Sequence, residues 1–300
     1  MTTTPTPPTT RYAKEDLPNK YLHHFHAGNI GDLWKHLVLN ELLRHLTKGD
    51  SPLIVVDCYA GAGSYRLEPT GEWTEGIGKI VKSDAQPQTD ALATYKRVID
   101  PLLRSERRYN GSPLIIRSFL RSGDRCIFHE TDQETRRTLE QSLSDSGATV
   151  LEADGLSALK THAAQAHDAG VRFFALIDPP WSKKEDWRTV PLGAIAAYNA
   201  NPAGVLALWY PIKSYTRVNS MMQIFADAGV SGIALEVLTT PLEEQRNRLN
   251  GSGMLLVNAP QPLIATLAAA STEVGSLCST HGGYWSSRIT QVRRTPEVRK

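Results

Sequence analysis

Seven short runs of apolar, β-branched and aromatic residues recur along the chain, each closed by a polar or glycine-containing break. They are Leu53–Asp57, Cys126–Glu130, Thr149–Asp154, Val171–Ile177, Gly204–Tyr210, Ile233–Leu238 and Gly253–Val257. Runs of this length with turn residues at their ends read as strands. Helical periodicity fills the intervals. Leu33, Trp34, Leu37, Val38, Leu42 and Leu46 form one stripe of a helix that Asp32 can cap. Ser112 and Pro113 suit the N-cap and first position of another. Thr131-Asp132-Gln133-Glu134 has the form of a capping box for a helix to about Ser144. Further helices are predicted over Leu156–His167 and from Tyr215 to about Ala228.

Strands alternating with helices predict an α/β fold with a mostly parallel sheet. The last two strands share no long crossover, so they are expected to form an antiparallel hairpin. One interval is irregular. In a doubly wound unit the second acidic strand end follows the first glycine loop by about 20 residues. Here it arrives only at Glu130, so a stretch from about Arg66 to Asn110 reads as a mainly helical insertion, with one helix from Thr89 to about Arg108. Residues 1–20 are rich in Thr and Pro and are expected to be a disordered tail, with residues 21–300 forming one domain.

Composition narrows the classes. At 41% apolar residues over 300 positions, a substantial core is expected. A net charge of +2 permits a nucleic-acid partner without demanding one. Three widely spaced cysteines make no disulfide framework, which points to a reducing cytoplasm. No apolar run is long enough to span a membrane, and the N-terminus has no signal-peptide pattern. His23, His24, His26 and His36 are spaced unlike any common ligand set, so no metal is expected.

Candidate chemistry gathers at strand ends. Asp178-Pro179-Pro180-Trp181 follows the strand Val171–Ile177, and two prolines must stop it. An acid, a rigid carbonyl and an aromatic ring are thereby held at the carboxyl end of a strand, where ligands of open α/β sheets sit. After the first strand, Cys58-Tyr59-Ala60-Gly61-Ala62-Gly63 offers two glycines that admit a close ligand, or simply a tight turn. The loop lacks the full dinucleotide fingerprint. It suits S-adenosylmethionine (SAM), which has no pyrophosphate to cradle. Glu130 is placed to accept hydrogen bonds from ribose hydroxyls. Asp154 can accept from an adenine amine or close an Asx turn. Lys35 and His36 offer donors to a polar or anionic ligand. Arg104, Arg107, Arg108 and Tyr109 read either as an RNA-facing cluster or as a solvated helix face. The loop Ser182–Arg188, basic and carrying Trp187, could fold over a substrate.

These stretches together resemble the Class I SAM-dependent methyltransferases, and more narrowly the RlmJ family, which methylates an adenine N6 in bacterial 23S ribosomal RNA. The resemblance rests on Phe25–His36, Ala60–Gly63, Thr70–Gly76, Gly111–Leu114, Asp178–Trp181, Leu208–Pro211 and Ser252–Met254, and runs from about Tyr21 to Pro260. It implies a Rossmann-like, seven-stranded methyltransferase fold with a small helical insertion. It implies SAM as methyl donor, no metal, 23S rRNA as partner, no obligatory protein partner and a cytoplasmic location. His36, Gly61, Gly63, Ser112, Glu130, Asp154, Gly155 and Asp178 fall at the cofactor, with Tyr59 where the family has a histidine. Asp178 falls on the catalytic acid, with the Pro179 carbonyl beside it. Tyr21, Lys35 and Trp181 fall at the RNA. The family's Asp-Pro-Pro-Tyr is here Asp-Pro-Pro-Trp, which keeps a stacking face and loses a hydroxyl. The residues alone also admit DNA adenine-N6 or protein-glutamine methylation, or an inactive RNA-binding module.

Overall fold

The first helix determines where the functional residues end up. A computed structural model describes residues 26–144, 147–244 and 249–293. Helix α1 (Ile30–Leu46) buries fifteen of its seventeen residues, including Asp32, Lys35, His36, Asn40 and Glu41. A single apolar stripe would have left those polar positions in water. They are covered because α1 is packed on several sides.

The chain continues through β1 (Leu53–Asp57), β2 (Ser64–Arg66), α2 (Ile77–Lys82), α3 (Asp90–Glu106), β3 (Arg108–Asn110) and α4 (Ser112–Phe119). Then come β4 (Arg125–His129), α5 (Gln133–Ser142), β5 (Thr149–Leu151), α6 (Gly155–Asp168), β6 (Arg172–Ile177) and α7 (Asp186–Ala200). The last part holds β7 (Val205–Ile212), α8 (Tyr215–Asp227), β8 (Gly232–Leu238), β9 (Gly251–Val257), α9 (Gln261–Cys278) and β10 (Ser286–Val292). One eight-stranded sheet runs in the order β10-β8-β9-β7-β6-β1-β4-β5, and β2 pairs with β3 in a separate two-stranded ribbon. Strands β5, β4, β1, β6 and β7 are parallel, and β9 runs antiparallel to both its neighbours.

Side chains alternate across a strand, and two cores follow. Val55 joins the side chains of α1, α3, α4 and α9 on one face, while Ile54 and Val56 join those of α6, α7 and α8 on the other. Trp34 is fully buried in the first core, and its indole N–H donates to the Leu235 carbonyl at 3.1 Å. That bond pins α1 to β8.

Several expectations are corrected. The sheet has eight strands rather than seven. Strand β10 escaped the pattern because it is an edge strand whose apolar Ile289 points into solvent, 47% exposed. Helix α1 is capped by Asn29, whose side chain accepts from the Gly31 and Asp32 amides, and not by Asp32. Gly111, not Ser112, is the N-cap of α4. Asp132, not Thr131, caps α5. Tyr109 is buried and bonded to Tyr95, so it cannot belong to a surface RNA cluster. The segment between β2 and β3 contains α2, α3 and a 3₁₀ turn at Glu72–Glu75. Residues 1–20 lie outside the described residues.

Trp34→Ala is expected to cost about 3–5 kcal/mol of stability, the usual penalty for emptying a large buried aromatic site. Urea denaturation followed by circular dichroism measures it, and a loss under about 1 kcal/mol would contradict the central place given to α1.

Candidate active site

Strand register alone brings the sequence candidates to one line. Asp57 at the end of β1 stands opposite Phe128 of β4 and Leu176 of β6. Two residues further on each chain come Tyr59, Glu130 and Asp178. Ile177 stands opposite Leu208, which sets Trp209 beside Asp178. The strand order reverses at β1, between the β4 and β6 sides, and this is the switch point where open α/β sheets bind ligands.

A cavity of about 750 Å³ opens there. Lys35, His36, Tyr59, Gly61, Ser112, Glu130, Asp154, Gly155, Asp178 and Pro179 all line it. Gly63 does not line the wall; a Cβ there would meet Leu139 of α5 at 2.9 Å, so this glycine serves packing. Tyr21 lies outside the described residues, as do His23 and His24. Asp32, Tyr65 and Trp209 line the cavity as well, though none was expected at the site; Asp32 and Trp209 lie within the Phe25–His36 and Leu208–Pro211 stretches.

The glycine loop is shaped by Glu130. Its Oε2 accepts from the Gly61 amide at 3.0 Å and its Oε1 from the Asp132 amide at 2.8 Å. Gly61 has φ +65°, and a Cβ there would sit 2.3 Å from the Tyr65 hydroxyl. That hydroxyl in turn accepts from the Ala62 amide. Gly155 opens α6 so close to β1 that a Cβ would lie 2.3 Å from the Cys58 carbonyl. Asp154 caps α6 by accepting from the Ser157 amide at 2.8 Å, the local-turn role of the two anticipated for it.

Two carboxylates flank Lys35, Asp32 buried and Asp178 partly exposed at the cavity. Its ammonium donates to Asp178 Oδ2 at 2.5 Å and to Asp32 Oδ1 at 2.7 Å, with the Lys35 side chain only 5% exposed. Burial opposes the charge, but Asp178 and Asp32 outweigh it and hold the amine above the ordinary lysine range. Asp32 is fixed from the other side by the Gly28 amide at 2.9 Å. The Lys35 ammonium also lies 5.8 Å from the Trp209 ring centre. Lys35 is therefore an internal brace for Asp178 in this structure. His36 turns the other way and bonds the Tyr109 hydroxyl at 2.5 Å, which contacts Tyr95 at 2.7 Å.

Asp57 lies beneath this group and is fully buried. Burial pushes its carboxyl up to about 6, against the Ser112 hydroxyl and the Tyr59 amide that favour the anion. Beside Glu130, His129 meets His162 with their Nε2 atoms 3.0 Å apart. Burial lowers both imidazoles from their usual range.

Trp181 is placed less simply than its motif suggests. It adopts φ +51°, the left-handed region that bulky residues avoid. Its ring is 9% exposed and packs 4.4 Å from Trp187, and its indole N–H donates to the Trp209 carbonyl at 3.2 Å. The cavity wall at this corner is built by Pro180 and Trp209. Trp209 is itself held by a 2.9 Å bond from its indole to Ser252.

Comparison with known proteins settles the family. Residues 50–288 match the model of a family described as ribosomal RNA large subunit methyltransferase D, RlmJ. The chain belongs to the RlmJ family. It is 35% identical over 253 residues to ribosomal RNA large subunit methyltransferase J of Escherichia coli K12, covering 81% of this chain and 88% of that protein. The protein of the same description from Haemophilus influenzae is 31% identical over the same shares. In fold, the crystal structure of protein LPL1258 from Legionella pneumophila superposes with a TM-score of 0.78 at 24% identity, over 89% of this chain and 98% of that one. Among the described residues no helix is long and apolar enough to cross a membrane. Nor do they hold a cluster of three or more His, Cys, Asp or Glu suited to a metal.

Removing the brace isolates its contribution. Lys35→Met leaves the buried Asp32 and the partly exposed Asp178 without their cation and is expected to cost about 3 kcal/mol in chemical denaturation. Asp57 gives a pH signature. Its folded pKa is raised, so its stabilising increment is complete below the unfolded value near 4 and lost as pH rises through about 6. The wild type is expected to gain up to about 3 kcal/mol relative to Asp57→Asn between pH 7 and pH 4. Parallel stability curves for the two proteins would contradict the assignment.

Proposed function

We propose that this protein transfers a methyl group from SAM to the N6 amine of an adenine in 23S ribosomal RNA, in the cytoplasm. The observation that carries the reading is the placement of Asp178 and Pro179. They face the same cavity as the Gly61 loop and Glu130, with Asp178 braced by Lys35. Family membership supports the reading independently.

The cavity fits the cofactor by its chemistry. Gly61 and Gly155 bring backbone close where side chains would obstruct. Glu130 has lone pairs beyond the two that hold the loop, and these suit ribose hydroxyls. The acids Glu130, Asp132, Glu134 and Asp154 on this side favour a cationic ligand. When bound, SAM supplies an electrophilic methyl on a sulfonium.

The protein's own part is to hold and orient the amine. The lone pair of an adenine amine is delocalised into the ring and is a weak nucleophile. Asp178 and the Pro179 carbonyl each accept one N6–H, which leaves the lone pair facing the cofactor side. Lys35 holds the Asp178 carboxylate in place by donating to its Oδ2. Prolines 179 and 180 fix the carbonyl. Trp209 gives the base an aromatic wall, with stacking of about 1–3 kcal/mol per base, and Trp181 supports it from behind through its bond to the Trp209 carbonyl. Asp178 can take the proton released after transfer. A base must leave its stack to enter such a pocket, so the target is an unpaired or flipped nucleotide.

Asp178→Ala is expected to bind SAM in calorimetry about as the wild type does and to lose methylation of unmodified 23S rRNA by at least about a hundredfold. Assays on rRNA, DNA and protein pools with labelled SAM complete the test. Label in DNA or protein but not in rRNA would overturn the substrate, and undiminished turnover in the variant would overturn the role of Asp178.

A further inference from the structure

The carboxyl edge of the sheet is electrically divided. The exits of β4 and β5 carry Glu130, Asp132, Glu134 and Asp154, all at the cofactor cavity. The exits of β6 and β7 carry the opposite sign. Lys183 and Lys184 follow β6, Arg188 lies in the first turn of α7, Lys213 follows β7, and Arg217 lies in the first turn of α8. All five are exposed. Against them stand two acids in the same segments, Glu185 and Asp186. Asp186 is occupied by the Lys183 amide at 2.8 Å.

These residues lie close together. Strands β6 and β7 are hydrogen-bonded neighbours, and α7 packs on α8. The first loop leaves the cavity wall directly after Pro180, and the second begins four residues beyond the wall residue Trp209. Lys213 is near enough to His26, ahead of α1, to oppose its charge. Among the described residues, none of the five side chains is committed to an ion pair or hydrogen bond. Basic side chains elsewhere are often tied down: Arg44 to Glu41, Arg104 to Asp100, Arg121 to Asp124 and Arg136 to Glu152. These five side chains form a basic arc that borders the pocket on the side away from the cofactor.

We propose that Lys183, Lys184, Arg188, Lys213 and Arg217 form the surface that grips the phosphate backbone flanking the target adenine. The proposal rests on the reading of RNA as the substrate and names where its backbone lies. Unpaired cations beside a pocket for a single base suit a polyanion whose one nucleotide has been drawn out. The acidic half would repel the same backbone, so the strand approaches over β6 and β7. The division keeps one ligand of each sign on its own half of the sheet.

The test uses the full chain and an unmodified 23S rRNA transcript. Two variants are compared with wild type, Lys183→Gln/Lys184→Gln/Arg188→Gln and Lys213→Gln/Arg217→Gln. RNA binding is measured by fluorescence anisotropy from about 50 to 200 mM salt, where phosphate contacts show as a slope of about 0.7 per contact on single strands. The triple variant is expected to lose about 2 units of slope and the double about 1.4, with unchanged SAM affinity and kcat at saturating RNA. Arg137→Gln, exposed on α5 on the acidic half, is expected to keep the wild-type slope. Wild-type slopes in both rim variants, or an equal loss in Arg137→Gln, would overturn the arc while leaving the RNA reading intact. A wild-type protein that neither binds nor methylates the transcript would overturn the RNA reading and the arc with it.

Discussion

The bond between Lys35 and Asp178 is the constraint on which the site depends. A lysine ammonium with almost no access to water is costly unless it is paired, and here it has two carboxylates, one from its own helix and one from the exit of β6. The pair joins α1 to the sheet edge and sets the orientation of the acid that faces the cavity. It can exist only because α1 is enclosed by the sheet, α3, α4 and α9. The burial of α1 and the geometry of the site are therefore one property seen at two scales.

The sheet supplies the rest by register. Parallel pairing of β4, β1 and β6 carries Glu130, Tyr59 and Asp178 to the same height, and pairing of β6 with β7 adds Trp209. No long-range adjustment is needed to assemble these groups; four adjacent strands and one helix suffice. Because the strand order reverses at β1, the exits diverge there and leave room for a ligand. The acids then fall on one side of the opening and the unpaired bases on the other.

Much of this was legible in the sequence. The strand ends were marked by apolar runs stopped by Gly, Pro or acid, and the fold class, the Gly61 loop and the Asp178 turn followed from them. What failed has identifiable causes. Strand β10 carries no inward alternation, since an edge strand pairs through its backbone and needs little apolar content. The caps at Asn29, Gly111 and Asp132 each lie within a few residues of the position expected, because several oxygen-bearing or glycine residues compete there. Lys35 was read as a donor to ligand because sequence does not show that Asp32, one helical turn earlier, and Asp178, far along the chain, converge on it. Trp209 lies in the Leu208–Pro211 stretch, but its place beside Asp178 is a matter of register and was not read as a site role.

The account stands or falls on one cavity serving both cofactor and base. The most direct measurement is a crystal structure with S-adenosylhomocysteine and an RNA oligonucleotide containing the target adenine. The account predicts N6 within hydrogen-bond distance of Asp178 and the Pro179 carbonyl, facing the sulfur past the Gly61 loop. An adenine seated elsewhere on the sheet edge, with Asp178 and Pro179 untouched, would contradict it.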